Sequence, residues 1–273
     1  LIKDSIVHLK KNIDKQYDIH KMKCVEPQKA GGKKKTKLEE TSLVKNETVL
    51  ETIRKYLSVR EEEKKLFGEV FTPIELVCEM LDKLPASVWS DPTLKWLDPA
   101  NGIGNYPVVC YYKLMEGLKD VKGFENQLIR SKHIIENMLY MVELNPVNVK
   151  VCRKIFKMID SEAKPKISNS NTLTEDVKWK RQFGIDKFDI IMGNPPYNPP
   201  KKEGKSTGNS IWQHFVMKSF YMLKEKGYLV FIHPPGWKKP TNEIFKEEQF
   251  LNHKDQIKMQ VRQGQVWQVL KDK

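Results

Sequence analysis

The 273-residue chain reads as an α/β fold, a parallel sheet covered by helices on both faces. Two observations predict it. Short apolar runs at 94–97, 139–143, 188–192 and 227–233 alternate with stretches of helical periodicity. Each run stops at turn or polar residues, as strands in βαβ units do. No internal repeat breaks the series.

The elements follow in order. Residues 1–42 are polar and Lys-rich, and Gly31-Gly32-Lys33-Lys34-Lys35 reads as a flexible basic linker. Residues 43–67 carry helical spacing through Leu43, Val49, Leu50, Ile53 and Leu57. One domain is expected over 68–273. In Phe71-Thr72-Pro73, Thr72 is the expected N-cap, with Pro73 at the first helical position and Glu75 completing a capping box. That helix runs to about Leu84. A strand over 94–97 ends in Asp98-Pro99, and a helix spans 106–118. A polar connection covers 119–130, and a short helix at 131–137 feeds the strand 139–143. A helix over 146–159 and a weak strand over 166–168 come next. The strong strand 188–192 is stopped by Gly193-Asn194-Pro195-Pro196. A Gly/Pro/Lys loop over 198–209 leads to a helix at 211–224 and a strand at 227–233. Residues 241–260 are polar with partial helix, and 261–270 form a strand pair around Gly264.

Composition narrows the classes. Hydrophobic content of 39% and aromatic content of 10% exclude a wholly disordered chain. No apolar run approaches the ~18–20 residues of a membrane helix, so no membrane partner is expected. Cys24, Cys78, Cys110 and Cys152 lie far apart, with no C-x-x-C pair and no His/Cys cluster at ligand spacing. This argues against a disulfide framework or a structural metal and fits reduced thiols of a cytosolic or nuclear protein. Cys78, Cys110 and Cys152 read as small buried hydrophobes. Leu1 in place of a starting Met leads us to expect a piece of a longer protein.

The formal charge is +13, unevenly spread. Residues 1–40 hold 11 Lys+Arg against 6 Asp+Glu, and 201–273 hold 14 against 7. The body, 41–200, holds 23 against 22. A near-neutral body with basic ends suggests an anionic partner that touches the ends.

In such a sheet ligands sit at the carboxyl ends of the strands. Three places there carry chemistry. In Asp98-Pro99-Ala100-Asn101-Gly102-Ile103-Gly104-Asn105, two glycines let the backbone turn tightly and approach a ligand. No Gly-Lys-Ser/Thr follows, so this is not a phosphate loop. Glu143 ends the next strand, where a carboxylate can accept two hydrogen bonds from a ribose diol; read alone, such a Glu is more often solvated. Asn194-Pro195-Pro196-Tyr197 follows the strongest strand. Two prolines remove two N–H donors, leaving the Asn194 side-chain oxygen and the Pro195 carbonyl as acceptors beside a flat ring. The set suits a planar amine.

The combination resembles the S-adenosylmethionine-dependent amino-methyltransferases, specifically the adenine-N6 DNA methyltransferases. Asp98–Asn105 looks like their D-P-A-C-G-S-G cofactor loop, departing at Asn101 and Ile103. Phe71-Thr72-Pro73 resembles their F/Y-T-P segment, which contacts the methionine end of the cofactor. The order F-T-P, cofactor loop, N-P-P-Y is the gamma arrangement of type I, type IIG and related enzymes. His133–Pro146 resembles the type IIG-like segment whose ribose-binding acid is here Glu143. Asn171 falls where the family usually has an Asp facing the cofactor adenine.

The resemblance, covering about residues 66–240, implies a Rossmann-like methyltransferase sheet, S-adenosylmethionine as cofactor, no metal, and DNA as partner within a restriction-modification system. It implies cofactor contacts from Phe71, Thr72, Pro73, Asp98, Pro99, Ala100, Gly102, Gly104, Glu143 and Asn171. Asn194, Pro195, Pro196 and Tyr197 would act on an adenine flipped out of the helix. Lys201, Lys202 and Lys205 would meet phosphates. Few residues follow the catalytic motifs, so a target-recognition domain is expected to be absent and sequence choice to come from a separate specificity subunit or domain. Trp212 and Phe215 read as core, and His233 as a residue that shapes the pocket. Two alternatives stay open: a glutamine-amide methyltransferase of the release-factor type, which also carries N-P-P-Y, and an RNA adenine methyltransferase.

Overall fold

A computed structural model describes residues 72–198 and 210–234 and the backbone of two later strands. The expectations for 1–42, 43–67, Phe71, Lys201, Lys202, Lys205 and 241–257 lie outside the described residues.

Five parallel strands form the centre of one sheet: β1 (Trp96–Asp98), β2 (Leu139–Glu143), β3 (Lys166–Asn169), β4 (Phe188–Gly193) and β5 (Leu223–His233). Two more follow, β6 (Lys258–Arg262) and β7 (Gln265–Lys271). The order is β3-β2-β1-β4-β5-β7-β6, with β7 antiparallel to both β5 and β6. The strand pair expected around Gly264 is thus the β6–β7 hairpin. The chain winds outward from β1 to β3, then returns to β4 on the other side of β1. That reversal leaves a crevice at the carboxyl ends of β1 and β4.

Among the described residues six α-helices cover the sheet: α1 (Ile74–Leu81), α2 (Asn105–Gly117), α3 (Gln127–His133), α4 (Pro146–Ile159), α5 (Asp176–Phe183) and α6 (Trp212–Met222). Side chains alternate between two cores. Trp96, Leu139, Met141, Val230 and Ile232 face one, with α1, α2 and α4. Leu97, Tyr140, Val142, Leu229 and Phe231 face the other, with α5 and α6. Both faces are therefore buried, as a parallel sheet requires. Each fully buried side chain such as Leu97 or Phe231 contributes roughly 1.5–3 kcal/mol. Cys78, Cys110 and Cys152 are buried free thiols, and Trp212 and Phe215 are buried in the second core, all as expected. Among the described residues no helix is long and apolar enough to cross a membrane.

Four local expectations change. The capping box at Thr72 does not form. Pro73 stays extended (ψ 143°), so α1 begins at Ile74 and Thr72 stands one residue too early to cap it. Its carbonyl instead accepts the Asn105 amide N–H at 2.7 Å. The helix expected at 131–137 starts earlier, because Asn126 caps α3 through the N–H groups of Leu128 and Ile129; a π-helical turn, Ile134–Met138, then feeds β2. Helix α5 was not expected; only Trp179 and Phe183 anchor it, four residues apart on one face. Strand β5 starts at Leu223, ahead of the expected 227, with a register shift against β4 and Lys226 at φ 61°.

Candidate active site

The crevice is built by loops that hold one another. After β1, the Asn101 N–H donates to Val142 O (3.0 Å), pinning the loop to β2. Gly102 (φ 57°) and Gly104 (φ 102°) adopt left-handed backbone that favours glycine. A Cβ at Gly104 would stand 2.8 Å from the Cys152 Sγ on α4, so the loop lies directly on that helix. The Gly102 N–H donates to Glu143 Oε2 at 2.7 Å. Glu143 Oε1 accepts the Asn145 N–H at 2.7 Å, while the Asn145 side chain caps α4. Glu143 Oε1 also accepts the Asn148 side-chain amide N–H at 3.5 Å, so this carboxylate joins the loop after β1 to the start of α4.

The turn after β4 closes the other side. A Cβ at Gly193 would stand 2.8 Å from Asp98 Oδ1, so β4 and β1 end in direct contact. Asn194 lines a cleft together with Thr72, Asp98, Ala100, Asn101 and Gly102. Ile103, Asn105 and Tyr106 complete it. Pro195 is buried, and Pro196 and Tyr197 are half-buried. The Tyr197 carbonyl accepts the Ile211 N–H at 2.9 Å, fixing the turn to the start of α6. The Tyr197 ring touches both cores, and burial pushes its hydroxyl up to about 12. His233 ends β5, buried, its ring stacked on Trp212 with centroids 4.7 Å apart.

The structure thus brings Thr72, Asp98, Ala100, Gly102 and Asn194 to one cleft, with Glu143 bonded to its wall. Pro73 is exposed beside it. Pro99 accepts the Thr172 hydroxyl, which ties the loop after β3 to the loop after β1. Asn171 lies in that third loop rather than in the cleft wall; its Oδ1 accepts the Leu173 N–H at 2.9 Å. Sequence reasoning missed Asn105 and Cys152. Their contacts, to Thr72 and beneath Gly104, come from distant segments and leave no local signal.

Asp98 dominates the electrostatics. It is 1% exposed, and burial holds its carboxyl well above the usual carboxylate range; Glu143 adds to this, and the Ala100 N–H opposes it. A raised carboxyl binds a proton in the folded state that the unfolded chain has lost, so stability falls as pH rises through that window. Asp98→Asn removes the buried ionisation. We expect the variant to melt above the parent at pH 8, with the gap closing as pH drops towards 4, read by thermal unfolding.

Comparison with known proteins agrees with this architecture. The modification subunit of a putative type I restriction enzyme from Vibrio vulnificus YJ016 superposes with a TM-score of 0.56 over 82% of this chain and 49% of that one, at 18% identity. DrdV, solved in complex with DNA, superposes with a TM-score of 0.59 over 81% of this chain and 28% of that one, at 15% identity. The chain shares the fold of these two proteins over most of its length. Residues 130–263 match the family described as Eco57I restriction-modification methylase. An uncharacterized adenine-specific methylase of Mycoplasma pneumoniae is 27% identical over 259 residues, 70% of this chain and 59% of that protein. The chain spans less than two thirds of each of these relatives.

The cleft suits the cofactor of such a fold. The glycine loop forms one wall of it, and Asp98 Oδ2 is a buried acceptor with no partner among the described residues.

Proposed function

We propose that the chain holds S-adenosylmethionine in this cleft and methylates the N6 amine of an adenine flipped out of DNA, within a restriction-modification system. The observation that carries the reading is the shared cleft: Asn194, which opens the N-P-P-Y turn, lines the same space as Asp98 and Gly102. The Eco57I match and the adenine-specific methylase relative support it. When bound, the cofactor supplies an electrophilic methyl group on a sulfonium.

The chain does the rest by positioning and electrostatics. Phe71, Thr72 and Pro73 meet the methionine end, and the loop Asp98–Gly104 wraps it. Glu143 accepts the ribose hydroxyls, and Asn171 Oδ1 accepts from the cofactor adenine amine. The target amine is a poor nucleophile because its lone pair is delocalised into the ring. Asn194 Oδ1 and the Pro195 carbonyl accept its two hydrogens and favour a pyramidal nitrogen, while Pro196 stiffens the turn. The Tyr197 ring stacks on the base, an interaction of roughly 1–3 kcal/mol that offsets the cost of flipping. Lys201, Lys202 and Lys205 neutralise phosphates, and a separate specificity subunit or domain selects the sequence. Removing those three charges is expected to flatten the salt dependence of DNA binding by a slope of about 2–3; an unchanged slope removes them from the interface.

The test is incubation with cofactor labelled in the methyl group and three acceptors: DNA, RNA and a release factor. Label is expected in DNA. Label in the release factor or the RNA alone replaces this reading with the amide or RNA one.

A further inference from the structure

The N-P-P-Y turn hangs from two supports. Asn194 and Pro195 continue β4, whose last residue, Gly193, pairs with Phe231 of β5. Tyr197 is held from the other side, because its carbonyl accepts the Ile211 N–H at the start of α6. Helix α6 has no side-chain cap to fix that start. Amine acceptors and a base-stacking ring on separate supports meet one base together only if the supports keep a fixed relation.

A ring stack joins them. Trp212, the first residue of α6, lies on His233, the last of β5, with ring centroids 4.7 Å apart and planes 2° from parallel. Both residues are buried. His233 stands two residues beyond Phe231, as Pro195 does beyond Gly193, so the stack reaches the level of the turn. Histidine suits the place. Its Nδ1 lies 2.8 Å from the Pro234 carbonyl. A carbonyl only accepts, so Nδ1 carries the proton and the bond fixes the ring plane against Trp212. An aliphatic side chain would fill the volume with neither the bond nor a flat face.

We infer that Trp212 and His233 are a positioning pair, which fixes the Tyr197 ring relative to Asn194 so that base stacking and amine binding act on one base at once. The inference rests on the methyl-transfer reading above and adds to it two residues outside the cleft wall.

The test separates the ring from the hydrogen bond. His233→Asn keeps a donor for Pro234 and loses the ring; His233→Phe keeps the ring and loses the donor. In the full chain, His233→Asn lowers kcat for methyl transfer to DNA about 10–100-fold with affinity for S-adenosylhomocysteine within about twofold, and His233→Phe recovers most of the loss. Equal losses in both variants, normal turnover in His233→Asn, or a parallel fall in S-adenosylhomocysteine affinity overturns the pairing. Amide exchange of the full chain carrying isotopically labelled isoleucine, followed by NMR, needs no activity. The Ile211 N–H of the unaltered chain is protected roughly 100-fold or more. His233→Asn lowers that protection about 3–10-fold, while His233→Phe keeps it and Ile155 and Ile167 in the other core are unaffected. Free exchange at Ile211 in the unaltered chain, or a loss in His233→Phe as large as in His233→Asn, overturns the anchor whether or not the chain methylates DNA. An anchored Ile211 with no transfer to DNA removes the methyl-transfer reading and leaves the anchor standing. Where His233→Asn does not fold, Ile211 in the unaltered chain and turnover of His233→Phe decide.

Discussion

Asn194→Ala is expected to lower methyl transfer by at least 10²–10³-fold while cofactor affinity stays within a few fold. The residue sits at the carboxyl end of β4, at the edge of the cleft, and opens a turn in which two prolines offer no N–H. In the proposed mechanism its side-chain oxygen and the Pro195 carbonyl are the two acceptors for the target amine, and deletion leaves one of them. The loss is confined to the step in which the amine changes geometry, so it falls on kcat rather than on the cofactor Kd. Pro195 keeps the turn in shape, so the fold survives the change. Near-normal turnover by the variant removes the proposed chemistry.

Gly104→Ala is expected to be the most damaging single change for the cofactor loop. Two independent effects act. A non-glycine residue at φ 102° costs about 1–3 kcal/mol, and the new Cβ would stand 2.8 Å from Cys152 Sγ. Together they should remove about 2–4 kcal/mol of stability, or about 5–10 °C in Tm, and abolish cofactor binding. Cys152→Ala in the same chain relieves the contact and not the backbone strain. The double variant should therefore recover part of the stability and little of the binding. Full recovery of both would mean that the glycine is needed only for space.

How far these features could be read ahead depended on where their causes lie in the chain. Helix α4 was legible to the residue at both ends because its signals are local: Asn145 caps it, Pro146 opens it, and its apolar face repeats at helical spacing. The strands at Leu139–Glu143 and Phe188–Gly193 were legible for the same reason, as apolar runs cut off by turn chemistry. Helix α5 was not, since two anchors in eight residues make a weak periodic signal. Thr72 misled because the local capping pattern is present, yet Asn105, thirty-three residues on, takes its carbonyl. The site divides similarly. Asp98, Gly102, Glu143 and Asn194 could be picked out by residue type at strand ends, and four loops do meet there. Asn105 and Cys152 acquire their roles only when α1, α2 and α4 pack together.

The central claim is that this cleft directs a methyl group to the N6 atom of adenine in DNA. Its most direct test is nucleoside analysis of DNA incubated with the full chain and S-adenosylmethionine, using cofactor deuterated in the methyl group. N6-methyldeoxyadenosine carrying the three deuterons is the predicted product, absent with Asn194→Ala. Deuterated methyl recovered on RNA or on a glutamine side chain, with DNA unmodified, would contradict the account.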